Sequence, residues 1–152
     1  SFQMIKAIKG SVEIKKEFIM KDEKDLNNKR ALLNFGHTFA HSLENCTKYS
    51  KILLHGEAVS IGICMASKLS NNLGFLSLNN YLKIKNIFYN FGLPIDLEFL
   101  KKIKIQKKQI VNNMIYDKKN LSGKLNFILC KDIGKAFVYN KIKKESVKKS
   151  IN

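Results

Sequence analysis

Arg30, Asn34, His37 and His41 are spaced four, three and four residues apart. On an α-helix turning about 100° per residue, that spacing gathers all four into about a 60° sector. Arg30 is the sole arginine among 28 basic residues, so cationic charge alone does not explain it. A planar guanidinium forks onto a carboxylate or phosphate in a way an ammonium cannot. Asn34 can orient a hydroxyl, and the two together suit a small polyhydroxylated anion. All three histidines fall between His37 and His55. Neutral imidazole is a good nitrogen ligand for zinc and similar ions, but a catalytic metal takes three protein ligands and keeps an open position. A carboxylate from elsewhere would have to complete the set. His-x-x-x-His alone is a weak signal, and H-E-x-x-H is absent. The plainer alternative is histidines that pack and hydrogen-bond inside a helical core. Burying a guanidinium and an amide on that same face without partners is costly, which favours a functional site. Two lysine pairs, Lys15 with Lys16 and Lys118 with Lys119, could add charge to it, although each taken alone reads as a solvated surface pair.

The elements that would hold this stripe are mostly helical. Phe2, Ile5, Ile8, Val12 and Ile19 give a helical rhythm over residues 2 to 24, and Asp22 to Lys29 reads as a turn. A second helix is expected from Arg30 to about Cys46, with Leu32, Leu33, Phe35, Phe39 and Leu43 on its apolar side. Gly56 to Leu73 reads as a core helix whose small residues, Ala58, Ser60, Gly62 and Ala66, permit close approach by a neighbour, with Gly74 as its cap. Residues 77 to 91 form a further helix stopped by Gly92 and the sole proline, Pro94. Residues 96 to 115 supply one or two more. Leu125, Phe127 and Leu129 then alternate before Gly134, with Phe137 and Tyr139 beyond it, which predicts a small hairpin near residues 124 to 140. Lys141 to Asn152 is expected to be a final helix with a frayed end.

The chain is 152 residues long with 45% hydrophobic residues, enough for one core and a single domain over residues 1 to 152. Its formal charge of +16 raises the question of nucleic acid. The lysines are scattered and arginine is nearly absent, whereas base-reading surfaces favour arginine, so the expectation is no nucleic-acid partner. A basic helical nucleic-acid-binding module remains the alternative from a different class. No run of about 18 apolar residues suggests a membrane span, and the cysteines, Cys46, Cys64 and Cys130, are odd in number and form no C-x-x-C pair, which suggests neither a disulfide framework nor a thiolate zinc site and points to a reducing, cytoplasmic compartment. A start at Ser1 directly inside a helical pattern reads as a fragment or excised domain.

The string R-A-L-L-N-F-G-H-T-F-A-H-S-L-E from Arg30 to Glu44, followed by L-H-G-E-A-V-S-I-G from Leu54 to Gly62, resembles the C-terminal domain of the 3-dehydroquinate synthase family. S-V-E-I-K-K from Ser11 with Asp22 and Glu23, D-K-K-N-L-S-G-K-L-N-F-I-L from Asp117, and I-G-K-A from Ile133 agree in the same order. The resemblance implies a mainly α, multi-helix domain of the dehydroquinate synthase-like fold with a small hairpin. It implies that His37 and His55 bind a divalent metal, zinc or cobalt, with a glutamate lying upstream. It further implies that Lys15, Arg30, Asn34, His41 and one of Lys118 or Lys119 hold 3-deoxy-arabino-heptulosonate 7-phosphate, with Lys15, Arg30, Asn34 and His41 serving catalysis. The interval from Asp22 and Glu23 to Arg30 is one residue longer than the usual pattern, and counting back from the acidic pair favours Lys15 over Lys16. Ala40 stands where the family commonly has glycine.

The implied reaction uses NAD to oxidise a ring alcohol transiently, eliminates phosphate and closes a carbocycle to 3-dehydroquinate, a step of the shikimate pathway of aromatic amino acid biosynthesis. No glycine-rich dinucleotide fingerprint is present, so NAD binding is expected in a separate N-terminal domain, with a homodimer as the complete enzyme. This chain by itself is expected to be inactive. Another sugar-phosphate cyclase, such as a 2-deoxy-scyllo-inosose synthase, shares the metal motif and is the alternative within the superfamily.

Overall fold

The computed structural model describes residues 2 to 21, 29 to 121 and 126 to 151, and side chains throughout these except those of 117 to 121. The chain falls into two compact units, Ser1–Asn34 and Phe35–Asn152. In the first, the expected opening helix is α1, Phe2–Lys21, followed by a short 3-10 helix at Lys29–Asn34. The turn expected at Asp22 to Lys29 lies, up to Asn28, outside the described residues. Helix α1 buries no side chain, and its surface carries the ion pairs Lys9 with Glu13 and Lys21 with Glu17 at helical spacing.

The second unit contains α2 (His37–Cys46), α3 (His55–Asn72), α4 (Leu78–Asn90), a 3-10 turn at Leu97–Leu100, α5 (Lys107–Leu121), strands β1 (Phe127–Asp132) and β2 (Lys135–Tyr139), and α6 (Lys144–Ser150). Its core joins Phe39 and Leu43 of α2 to Ile61, Met65 and Leu69 of α3, Ile110 and Met114 of α5, and Phe127 and Leu129 of β1. Fully burying a side chain such as Phe39 contributes about 1.5 to 3 kcal/mol, and its ring meets that of Phe127 at a centroid distance of 5.6 Å. Buried hydroxyls fasten the layers. Ser42 donates to the Ile110 carbonyl at 2.6 Å, and the Cys130 amide donates to Ser70 Oγ at 3.1 Å.

The mainly helical architecture with one small antiparallel hairpin is as expected, and Gly74 and Gly92 follow α3 and α4 with positive φ, as chain reversals after helices require. Three details differ from the sequence expectation. The helix expected from Arg30 to Cys46 is broken. Lys29–Asn34 is 3-10, Phe35 and Gly36 form a turn with Gly36 at φ 83°, and the α-helix begins at His37. A 3-10 helix turns about 120° per residue, so Arg30 and Asn34 do not share a face. Strand β1 does not alternate: Phe127 to Cys130 are all buried. Phe127 and Leu129 enter the main core while Cys130 packs with Leu76 and Tyr81, so both faces are covered. The C-terminal helix is anchored rather than frayed up to its last described residue, since Val147, Ser150 and Ile151 are buried.

Candidate metal and substrate site

Helix α2 begins at His37 because Gly36 adopts a left-handed conformation and offers its carbonyl to the Ala40 amide at 3.0 Å. Glycine is required at 36 for a second reason, the closeness of α3: a Cβ on Gly36 would stand 2.5 Å from the Ile63 amide nitrogen. Reciprocally, a Cβ on Gly62 would run into the Gly36 carbonyl oxygen. This backbone-to-backbone seam is the close approach that the small residues of α3 foreshadow.

Helix α3 starts at His55, where the Leu54 amide donates to Glu57 Oε2 at 2.8 Å. Glu57 of the L-H-G-E string is thus a helix cap whose charge also suits the N-terminal end of the dipole. The start of α2 and the start of α3 therefore lie side by side. His37 and His41 have ring centroids 5.6 Å apart, His37 and His55 5.6 Å, and His41 and His55 6.4 Å. The structure brings all three imidazoles together.

Glu44 joins them. Its Oε1 lies 2.9 Å from His55 Nδ1, with the glutamate side chain 12% exposed and the histidine 60% exposed. A carboxylate oxygen accepts, so in this contact His55 Nδ1 donates and Nε2 is the ring nitrogen left over. His37 Nδ1 makes a longer contact, 3.5 Å, to the Phe35 carbonyl, which also accepts. Burial holds the His37 pKa below its ordinary value, the Phe35 carbonyl opposes this, and His41 and His55 add to the lowering. His37 is therefore biased to the neutral form that a metal needs.

This donor set fits two ligands of a divalent ion: two imidazoles whose Nδ1 atoms face oxygen acceptors and whose Nε2 atoms remain for coordination. Among the described residues no group of three or more His, Cys, Asp or Glu is arranged to hold a metal. The thiols offer no substitute. Cys46, Cys64 and Cys130 are free, burial raises the pKa of each, and that of Cys64 is pushed up to about 12. Sequence reasoning missed Glu44, although it stands seven residues after His37, two helical turns along one face.

The other expected site residues lie elsewhere in the chain's elements. Lys15, Arg30 and Asn34 belong to the Ser1–Asn34 unit, where Lys15 and Asn34 are exposed and Arg30 is half-buried. Lys118 and Lys119 lie in α5, with side chains outside the described residues.

The sequence pattern described as 3-dehydroquinate synthase C-terminal matches residues 2–120. The chain belongs to this family. It is 41% identical over 149 residues to a 3-dehydroquinate synthase of Thermodesulfovibrio yellowstonii, an alignment covering 98% of this chain and 40% of that one. A 3-dehydroquinate synthase of Campylobacter jejuni is 42% identical over 140 residues, covering 92% and 38%. The chain thus spans about 40% of the length of these curated relatives. Among solved structures, the 2-epi-5-epi-valiolone synthase ValA of Streptomyces hygroscopicus, with NAD+ and Zn2+ bound, superposes with a TM-score of 0.71 at 21% identity, covering 88% of this chain and 35% of that one. A 2-deoxy-scyllo-inosose synthase complexed with carbaglucose-6-phosphate, NAD+ and Co2+ gives 0.57 at 22% identity, covering 77% and 32%. These likenesses bear out the fold expected for the family. Among the described residues no helix is long and apolar enough to cross a membrane.

Proposed function

We propose that this chain is the metal- and substrate-binding domain of a 3-dehydroquinate synthase, acting on 3-deoxy-arabino-heptulosonate 7-phosphate with elimination of phosphate. The observation that carries the reading is family membership together with the three imidazoles gathered on α2 and α3. The curated relatives with the dehydroquinate synthase name stand at 41 to 42% identity, against 21 to 22% for the other cyclases, which favours this substrate over theirs.

In this reading His37 and His55 hold zinc or cobalt with a glutamate from outside these residues, and the bound ion supplies Lewis-acid polarisation of a substrate oxygen. Arg30 forks onto the carboxylate or phosphate, Asn34 orients a hydroxyl, and Lys15 with Lys118 or Lys119 adds charge for the anion. His41, one turn from His37, orients the substrate or relays its protons. NAD is held mainly by a domain outside these residues, and the 152 residues alone are inactive. The complete enzyme is read as a homodimer of the cytoplasm with neither nucleic-acid nor membrane partner; the three free cysteines support the compartment.

The protein as its gene encodes it, supplied with the heptulosonate phosphate, NAD and Zn2+ or Co2+, is expected to release inorganic phosphate and form 3-dehydroquinate. Absence of both products under these conditions overturns the proposal. In the same assay Arg30→Lys keeps the charge and gives up the fork. Losing such a charge-assisted contact costs roughly 1.5 to 3 kcal/mol, about ten- to a hundredfold in kcat/KM. A fully active Arg30→Lys enzyme would remove the guanidinium from the site.

A further inference from the structure

The nearly buried Glu44 is unexplained by the ligand set above, and its surroundings give it a task. Its main-chain carbonyl shapes the turn after α2, accepting from Thr47 Oγ1 at 3.0 Å and the Tyr49 amide at 2.8 Å. Those bonds need no particular side chain. The carboxylate instead spans from α2 to the first residue of α3 and meets His55 Nδ1 at 2.9 Å. A carboxylate at this depth requires compensation for lost hydration, and the imidazole N–H provides it.

We propose that Glu44 is a positioning residue for metal binding: it fixes His55 in the Nδ1–H tautomer and holds the ring so that Nε2 faces the ion. This rests on the reading of His37 and His55 as ligands. The need for such a partner is uneven across the site. His37 is half-buried and close to its own backbone acceptor, whereas the His55 side chain is 60% exposed and sits on the first residue of its helix. An exposed imidazole left to itself samples both tautomers and several rotamers, and ordering them on metal binding costs affinity. The contact to Glu44 settles both before the ion arrives.

The test uses the protein as its gene encodes it, with the variants Glu44→Ala, Glu44→Gln and His37→Ala. The first readout is the His55 imidazole nitrogen shifts of metal-free protein at pH 8, above the ordinary imidazole pKa of about 6.5. Wild type is expected to show Nδ1–H, and Glu44→Ala a shift towards the Nε2–H form. The second readout is Co2+ affinity by chelator competition, where loss of an outer partner is expected to cost about 10- to 100-fold. Glu44→Gln preserves volume and retains one acceptor, so it changes both readouts in the same direction by less, and it serves where the alanine variant does not fold. An unchanged His55 tautomer, or wild-type Co2+ affinity in folded Glu44 variants while His37→Ala loses the ion, overturns the role of Glu44 and leaves the ligand reading standing. Wild-type Co2+ affinity in His37→Ala overturns the ligand reading itself.

Discussion

His37→Ala in the gene-encoded protein is expected to lose bound metal and turnover together, with the fold retained. His37 opens α2 with its ring against His41 and His55. Removing a ligand outright costs more than the roughly 10- to 100-fold typical of losing an outer partner. The effect on folding is small by comparison, because the ring is half-buried rather than part of the core formed by Phe39, Leu43 and Ile61. Metal content by elemental analysis, circular dichroism and steady-state rate on one preparation make the check. A His37→Ala protein that retains a full equivalent of tightly bound metal and its rate would reduce the histidine cluster to packing.

Gly62→Ala is expected to destabilise the fold strongly for a single added methyl. The new Cβ meets the Gly36 carbonyl oxygen and lies 3.1 Å from the Ala40 amide nitrogen, backbone atoms of the α2 cap and of α2 itself. No rotamer change can relieve a collision with backbone, so α2 and α3 must separate. Overpacking a core costs about 1 to 3 kcal/mol where side chains can shift, and a rigid seam belongs at or above the top of that range. Gly36→Ala adds the cost of a left-handed conformation, about 1 to 2 kcal/mol for a residue with a Cβ. Denaturant unfolding with an unchanged m-value measures both. A Gly62→Ala loss below about 0.5 kcal/mol, the scale of an ordinary surface substitution, would mean that the seam is looser than described. A damaged seam also displaces His37 from His55, so metal affinity is expected to fall in the same variants.

The residues differ in how far their roles could be read from the chain alone. The helix α3 and its small-residue face were legible because burial at 3.6-residue spacing is a local property. The break at Phe35 and Gly36 was not: Leu32, Leu33, Phe35 and Phe39 continue an apolar rhythm straight through it, and the close approach of Gly62 to Gly36 is a long-range contact that this rhythm does not encode. For the same reason the one-face argument for Arg30 and Asn34 fails although the histidine part of it stands, His37 and His41 being on one uninterrupted helix. Strand β1 misled through composition, because Phe127 and Leu129 suggest one buried face while Ile128 and Cys130 are buried as well, Cys130 against Leu76 and Tyr81. Glu44 sits two turns after His37 on the same helix, but its partner is set only when α3 folds back and brings His55 to it.

The gathering of His37, His41, Glu44 and His55 within one short stretch bears on the order in which the protein assembles. Loop closure costs little entropy when the joined residues are close in sequence, and contacts of this kind form early in folding. The helix, turn and helix that carry these four side chains can meet before strand β1 or helix α6 arrives from the far end of the chain to complete the core. The imidazoles of His37, His41 and His55 and the carboxylate of Glu44 are thus brought together by a local event, ahead of the long-range contacts that close the core.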